Sequence, residues 1–140
     1  MNEINIIMDR SGSMETNAKE SICLNIIQAV NIIVMMNFNS LTINKLKFGN
    51  TKEEFEQLKT KIHAIPTLIL TDGYYFFDFY RGELNSLLEE NINNLYFVIC
   101  GADGINLSIY KKDFPKINIV QPDNIIYALE KILRTDDGKN

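Results

Sequence analysis

The chain has 140 residues, of which 46% are hydrophobic, and a formal net charge of −4 at pH 7. This length suits one domain, because two halves would each bury too small a core. A mild negative charge without basic patches argues against a nucleic-acid binder, which needs lysine and arginine at the phosphates. We therefore expect a single domain over residues 1–134, followed by a polar tail over residues 135–140.

The first half of the chain predicts two strands and two helices in alternation. The apolar run at residues 3–8 ends in a polar loop, as a buried strand does. Apolar residues within 18–36 recur every three or four positions, which predicts a helix. Residues 41–48 alternate as a further strand. Thr51 is typical of an N-cap in a capping box and begins a predicted helix over residues 51–62.

The second half continues the alternation. It predicts, in chain order, a strand over 67–71, a short helix over 83–91, a strand over 95–100, an irregular or short helical segment over 103–114, a strand over 117–120, and a helix from an Asp123 cap to about residue 134. The strands are apolar on both faces. This pattern predicts an α/β, Rossmann-like fold with a mostly parallel sheet and helices on both faces.

Cysteine and histidine usage limits the chemistry. Cys23 and Cys100 lie far apart in apolar runs and outside any Cys-x-x-Cys pair, so we expect two buried thiols in a reducing compartment. His63 is the only histidine, which removes most zinc sites and favours a surface or capping role. The N-terminus does not resemble a signal peptide, and polar residues interrupt the apolar stretch 22–36. We expect a cytoplasmic protein without a membrane span.

Oxygen-bearing side chains follow two of the predicted strands. Asp9, Ser11 and Ser13 alternate directly after the first strand, and Asp72 follows the strand at 67–71. Functional loops of an open α/β sheet gather at the carboxyl ends of its strands. Each loop alone is also explained by ordinary loop and N-cap residues. The two together favour a site for a hard divalent cation, which prefers oxygen ligands.

Two motifs carry a family resemblance. Residues 7–14, Ile-Met-Asp-Arg-Ser-Gly-Ser-Met, and residues 70–73, Leu-Thr-Asp-Gly, resemble the von Willebrand factor type A family, whose domains carry a metal-ion-dependent adhesion site. The predicted order of strands and helices agrees with that family over residues 3–134. The chain resembles a short, minimal member of the bacterial type, in which the usual extra edge strand and extra helix of the middle region are missing or fused.

The resemblance implies a ligand set and a partner. Ser11 and Ser13 would supply hydroxyl ligands, and Asp9 and Asp72 would coordinate directly or through water. The family also uses a threonine from a middle loop, for which Thr51 is the candidate; the competing role of Thr51 is the helix N-cap. The ion would be Mg²⁺, or another divalent cation such as Mn²⁺ or Ca²⁺. An Asp or Glu of another protein would complete its coordination.

Aromatic residues follow the second motif. Tyr74, Tyr75 and Phe76 begin an aromatic segment over residues 74–80. Part of this segment is expected to pack beneath the next helix, because so many aromatics cannot all face water cheaply. The others are candidates for a contact surface around the metal. Arg10 could contact an acidic partner, or its side chain could simply be solvated.

Several functions remain open on the sequence alone. The leading hypothesis is a metal-dependent protein-interaction module without enzymatic activity. One alternative is a Mg²⁺-dependent, phosphatase-like hydrolase with Asp9 as nucleophile, but such chemistry usually wants a carboxylate two residues later, where Ser11 stands. A nucleotide-binding module would need a glycine-rich phosphate loop, which the chain lacks. A type A scaffold with a vacant metal site is the remaining alternative.

Overall fold

The computed structural model describes residues 3–10, 14, 19–37, 41–48, 52–72, 81–91, 93–100, 112 and 114–137. Its elements are β1 (Glu3–Asp9), α1 (Lys19–Asn37), β2 (Thr42–Phe48), α2 (Lys52–Ile62), β3 (Thr67–Thr71), α3 (Arg81–Glu90), β4 (Leu95–Ile99), β5 (Ile119–Val120), a turn of 3₁₀ helix (Pro122–Asn124) and α4 (Ile125–Asp137). Strands and helices alternate along most of the chain, as the sequence predicts.

The strands form one five-stranded sheet in the order β2-β1-β3-β4-β5, and every neighbouring pair is parallel. This is one of the two common orders of a doubly wound sheet. The chain leaves β1 toward β2 on one side and returns to β3 on the other. The strand order therefore reverses between β1 and β3, and ligands of such sheets bind in the crevice beyond the strand ends at this switch point.

Helices cover both faces of the sheet, which confirms the predicted fold class. Successive residues of a strand point to opposite faces. On one face Ile7 and Ile69 pack with buried residues of α2 and α3. On the other face Ile6 and Leu68 pack with buried residues of α1 and α4. The apolar runs of the strands reflect this double burial, since both faces of each strand are covered and favour apolar side chains.

Two predicted features of the last helix are wrong. Asp123 does not cap the α-helix: it lies inside the 3₁₀ turn, whose N-cap is Gln121. Proline is favoured at the start of a helical turn, so Pro122 begins this turn one residue before Asp123. The predicted end of this helix at about residue 134 is also too early, because α4 continues to Asp137. The first strong helix breaker at this end of the sequence is Gly138.

The helix α1 is long and apolar enough to cross a membrane by length and composition, with a mean hydropathy of 1.3 over Lys19–Met36. The core helix of a soluble protein passes the same test. One side of α1, including Cys23, Ile26 and Val30, is buried in the core against the sheet. The absence of a membrane span stays a prediction.

Candidate functional site

The carboxyl ends of β1 and β3 bring three polar side chains to one edge of the sheet. Asp9 is the last residue of β1, Thr71 is the last residue of β3, and Asp72 follows it. Their exposed fractions are 1%, 0% and 0%. Burying a carboxylate is costly unless it is paired or hydrogen-bonded. The hydrogen-bond and ion-pair partners of these side chains therefore determine whether they can also bind a ligand.

Asp9 and Thr71 join the two strand ends through a hydrogen bond. The Thr71 hydroxyl Oγ1 donates to Oδ2 of Asp9 at 2.6 Å. A short O–H···O bond of this kind is typical of an ionised carboxylate as acceptor. Both residues lie two positions beyond Ile7 and Ile69, on the sheet face that α2 and α3 cover.

Asp72 is paired with a buried lysine. Lys19 Nζ lies 3.0 Å from Oδ2 of Asp72, and the two side chains are 1% and 0% exposed. Lys19 is the first residue of α1. The ion pair therefore connects the start of this helix to Asp72. Sequence reasoning missed Lys19. One feature of the sequence could have pointed to it: Lys19 is a cation in the first turn of a predicted helix, where the helix dipole favours acidic residues.

Met14 also contacts Asp72. The backbone N–H of Asp72 donates to the thioether Sδ of Met14 at 3.2 Å, and Met14 is buried. Asp9 and Met14 precede and follow the Ser11–Ser13 segment in sequence. Both flanks of that segment therefore contact the end of β3, the first through Thr71 and the second through Asp72.

A pair of thiols borders the site. Cys23 Sγ donates to Cys100 Sγ at 3.4 Å, and the Cys100 backbone N–H donates to the carbonyl of Thr71 at 2.9 Å. The hydrogen bond with Cys23, burial and the nearby charge of Asp72 raise the pKa of the Cys100 thiol well above its usual range. A protonated thiol is neither a strong nucleophile nor a metal ligand. Both cysteines are buried and free, as the sequence predicts.

The structure brings together two of the predicted site residues, Asp9 and Asp72, at neighbouring strand ends. Arg10 is exposed directly after β1. His63 is exposed in the turn after α2, in line with the predicted surface role. The remaining predicted site residues lie outside the described part of the chain: Ser11, Ser13, Thr51, Tyr74, Tyr75 and Phe76.

The donor chemistry at this edge fits a hard cation. Asp9 and Asp72 offer carboxylate oxygens, which Mg²⁺ and Ca²⁺ prefer. Each carboxylate has about four lone-pair sites, so a carboxylate can serve several partners at once. Within the described residues no group of three or more His, Cys, Asp or Glu side chains could hold a metal ion. The ligand set predicted from the sequence is of another kind, since it combines two aspartates with three hydroxyl residues.

No protein-family model, curated protein or solved structure matches this chain. The resemblance to the von Willebrand factor type A family therefore stays a prediction from the two motifs.

Proposed function

We propose that the chain is a protein-interaction module that binds its partner through a divalent cation, in the manner of a von Willebrand factor type A domain. The observation that carries the proposal is the pair of buried carboxylates, Asp9 and Asp72, at the ends of β1 and β3. These ends flank the switch point of a doubly wound sheet, where such folds bind ligands.

Five residues would hold the cation. Asp9 and Asp72 coordinate it directly or through water, and Ser11, Ser13 and Thr51 supply hydroxyl oxygens. The contacts of Asp9 and Met14 with the end of β3 support the assignment of the serines, because both flanks of their segment reach this edge. Thr51 directly precedes α2, so its alternative role remains the N-cap of that helix.

The bound cation would supply an electrophilic centre for a carboxylate of the partner. We propose Mg²⁺, with Mn²⁺ or Ca²⁺ as substitutes, because the donors are oxygens. Arg10 is exposed beside the site and can contact an acidic partner. Tyr74, Tyr75 and Phe76 are the proposed apolar part of the contact surface, since aromatic side chains are good interface anchors.

Thermal unfolding tests the cation site. A ligand that binds the native state raises the melting temperature, so saturating Mg²⁺ should raise it for the wild-type chain and not for Asp9→Asn. The amide oxygen of the substituted side chain still accepts the Thr71 hydrogen bond, so this variant removes charge with little change of shape. Glu89→Gln, an exposed carboxylate on α3, is the matched control and should respond like the wild type. An equal rise in Asp9→Asn contradicts the proposal.

Partner capture tests the interaction. Proteins retained by the immobilised chain in Mg²⁺ should be released by a chelator and should not be retained by Asp9→Asn. The retained protein should in turn lose binding when a surface Asp or Glu is replaced by its amide. Binding that survives both the chelator and Asp9→Asn contradicts a metal-bridged contact.

A second candidate is the same fold acting as a scaffold without a cation. The pairing of Lys19 with Asp72 favours it, because a positive charge already lies beside one of the proposed ligands. In this case saturating Mg²⁺ leaves the wild-type melting temperature unchanged.

A further inference from the structure

Lys19 is a buried charged residue at this edge that the proposed ligand set does not use. Its ammonium lies 3.0 Å from Oδ2 of Asp72, and its side chain is 1% exposed. Lysine is almost never fully buried unless it is paired. The ion pair with Asp72 is one interaction that compensates the burial of Lys19.

Helix stability does not explain the position of Lys19. Lys19 is the first residue of α1, where the helix dipole is positive and disfavours a cation. The next residue, Glu20, has the sign that this position favours and is exposed. The contact with the buried carboxylate of Asp72 helps to hold the lysine there against the dipole.

We infer that Lys19 is a tethered cation that competes with the divalent ion for Asp72; this inference rests on the proposed function. Without the ion, the ammonium compensates the buried carboxylate and keeps this strand end stable. An incoming divalent ion meets a like charge already bound to one of its ligands. Repulsion between the two cations is strong because Lys19 and Asp72 are buried, where charges are screened less than in water. The ion therefore binds Asp72 fully only when Lys19 leaves Oδ2.

This competition links the ion to α1. Lys19 begins the helix, and Cys23, one turn later on the same side, packs in the core beside Cys100. Because that part of α1 is fixed by packing, the release of Lys19 is confined to its side chain and the first turn. The start of α1 would thus differ between the ion-free and ion-bound forms.

Calorimetric titration of MgCl₂ into the full chain tests the competition. Lys19→Gln removes the charge and keeps a hydrogen-bond donor, and it should bind Mg²⁺ more tightly than the wild type by about tenfold or more, which is about 1.4 kcal/mol. Lys19→Arg keeps the charge and should bind no more tightly than the wild type. Lys116→Gln, an exposed lysine before β5, makes the same charge change away from the site and should bind as the wild type does.

A second measurement needs no variant. An amine-acetylating reagent, read by mass spectrometry, should leave Lys19 protected without Mg²⁺ and modify it at saturating Mg²⁺. Equal affinities of wild type and Lys19→Gln, or a Lys19 that stays protected at saturating Mg²⁺, would overturn the inference and leave the proposed function standing. A failure of both the wild type and Lys19→Gln to bind Mg²⁺ would overturn the proposed function as well. Binding by Lys19→Gln alone would support the competition but contradict cation binding by the wild-type chain, and so favour the scaffold without a cation.

Discussion

The two ends of the β1–β3 pair carry similar residues with different chemistry. Where the strands start, Asn5 lies opposite Thr67; where they end, Asp9 bonds to Thr71. Each pair is four residues from the other along its strand, so both lie on the same face of the sheet. The amide of Asn5 at the start of β1 thus corresponds to the carboxylate of Asp9 at its end.

The starting end is joined mainly by uncharged amide and hydroxyl groups, with one carboxylate at its edge, since Asn44 Nδ2 also donates to Glu3 Oε1 at 3.2 Å. The Asn5 amide Nδ2 donates to the Lys61 carbonyl at 3.0 Å and to Thr67 Oγ1 at 3.3 Å. Asn44 of β2 donates from Nδ2 to Asn5 Oδ1 at 3.1 Å. One uncharged side chain thereby ties together three strands and the end of α2. The contact between Asn5 and Thr67 therefore joins the starts of β1 and β3 without a charge.

The comparison shows what is unusual about the carboxyl end. If a hydrogen bond to threonine were all that was needed, an asparagine at position 9 would serve without the cost of burying a charge. Asp9 and Asp72 instead add two buried carboxylates, and Asp72 is paired with a buried lysine. Two buried carboxylates at one edge of the sheet are the physical argument for the proposed cation-binding role.

The largest expected effect comes from breaking the ion pair. Asp72→Ala should lower the free energy of unfolding in chelator by about 3–5 kcal/mol, because it leaves the Lys19 ammonium buried without this partner. Urea denaturation measures the loss. The double variant Lys19→Met/Asp72→Leu should recover most of it, since an apolar pair of similar volume can replace a buried ion pair. A loss in Asp72→Ala of less than about 1 kcal/mol contradicts the importance of the pair.

A smaller effect is expected at the starting end. Asn5→Ala should cost about 1–3 kcal/mol, because it leaves buried hydrogen-bonding groups such as Thr67 without the amide. Its response to Mg²⁺ should equal that of the wild type, since the proposed cation site lies at the other end of the strands. The melting temperature with and without Mg²⁺ measures this. Loss of the Mg²⁺ response in Asn5→Ala would contradict the assignment of Mg²⁺ binding to the carboxyl ends of β1 and β3 alone.

Raising the pH should weaken the carboxyl end and leave the network at the starting end unaffected. The pKa of Cys100 is raised in the folded chain, whereas a cysteine in an unfolded chain has a pKa of about 8.5. Above that value the unfolded chain releases the thiol proton and the folded chain retains it. Stability present below about pH 8.5 is therefore lost as the pH rises, by up to about 1.4 kcal/mol per pH unit.

Cys100→Ala isolates this effect. Its unfolding free energy, measured by urea denaturation at several pH values above about 8.5, should fall less steeply than that of the wild type. Identical slopes for the two proteins would show that the buried thiol does not contribute.

The sequence predicts the sheet, and the positions of Asp9 and Asp72 at its strand ends, for local reasons. Apolar runs and turn residues are local signals, so β1, β3 and the positions of Asp9 and Asp72 follow from the pattern. The pairing of Lys19 with Asp72 joins residues 53 positions apart, and that of Cys23 with Cys100 joins residues 77 apart. No local pattern encodes such pairs, because they depend on how α1 packs across the sheet.

The end of α4 shows the opposite problem. Residues 135–137 are polar, so the composition predicts a frayed tail there, yet α4 includes them. Backbone hydrogen bonding extends a helix past its last buried residue until a breaker such as Gly138 is reached. Composition alone therefore predicts the end of this helix too early.

The most direct test of the proposed cation site is calorimetric titration of Mg²⁺ into three proteins: the wild-type chain, Asp9→Asn and, as the control, Asn5→Ala. We expect saturable binding at one site in the wild type and in Asn5→Ala, and no binding in Asp9→Asn. Unchanged binding in Asp9→Asn, or no binding in the wild type and in Lys19→Gln, would contradict a cation site at the carboxyl ends of β1 and β3.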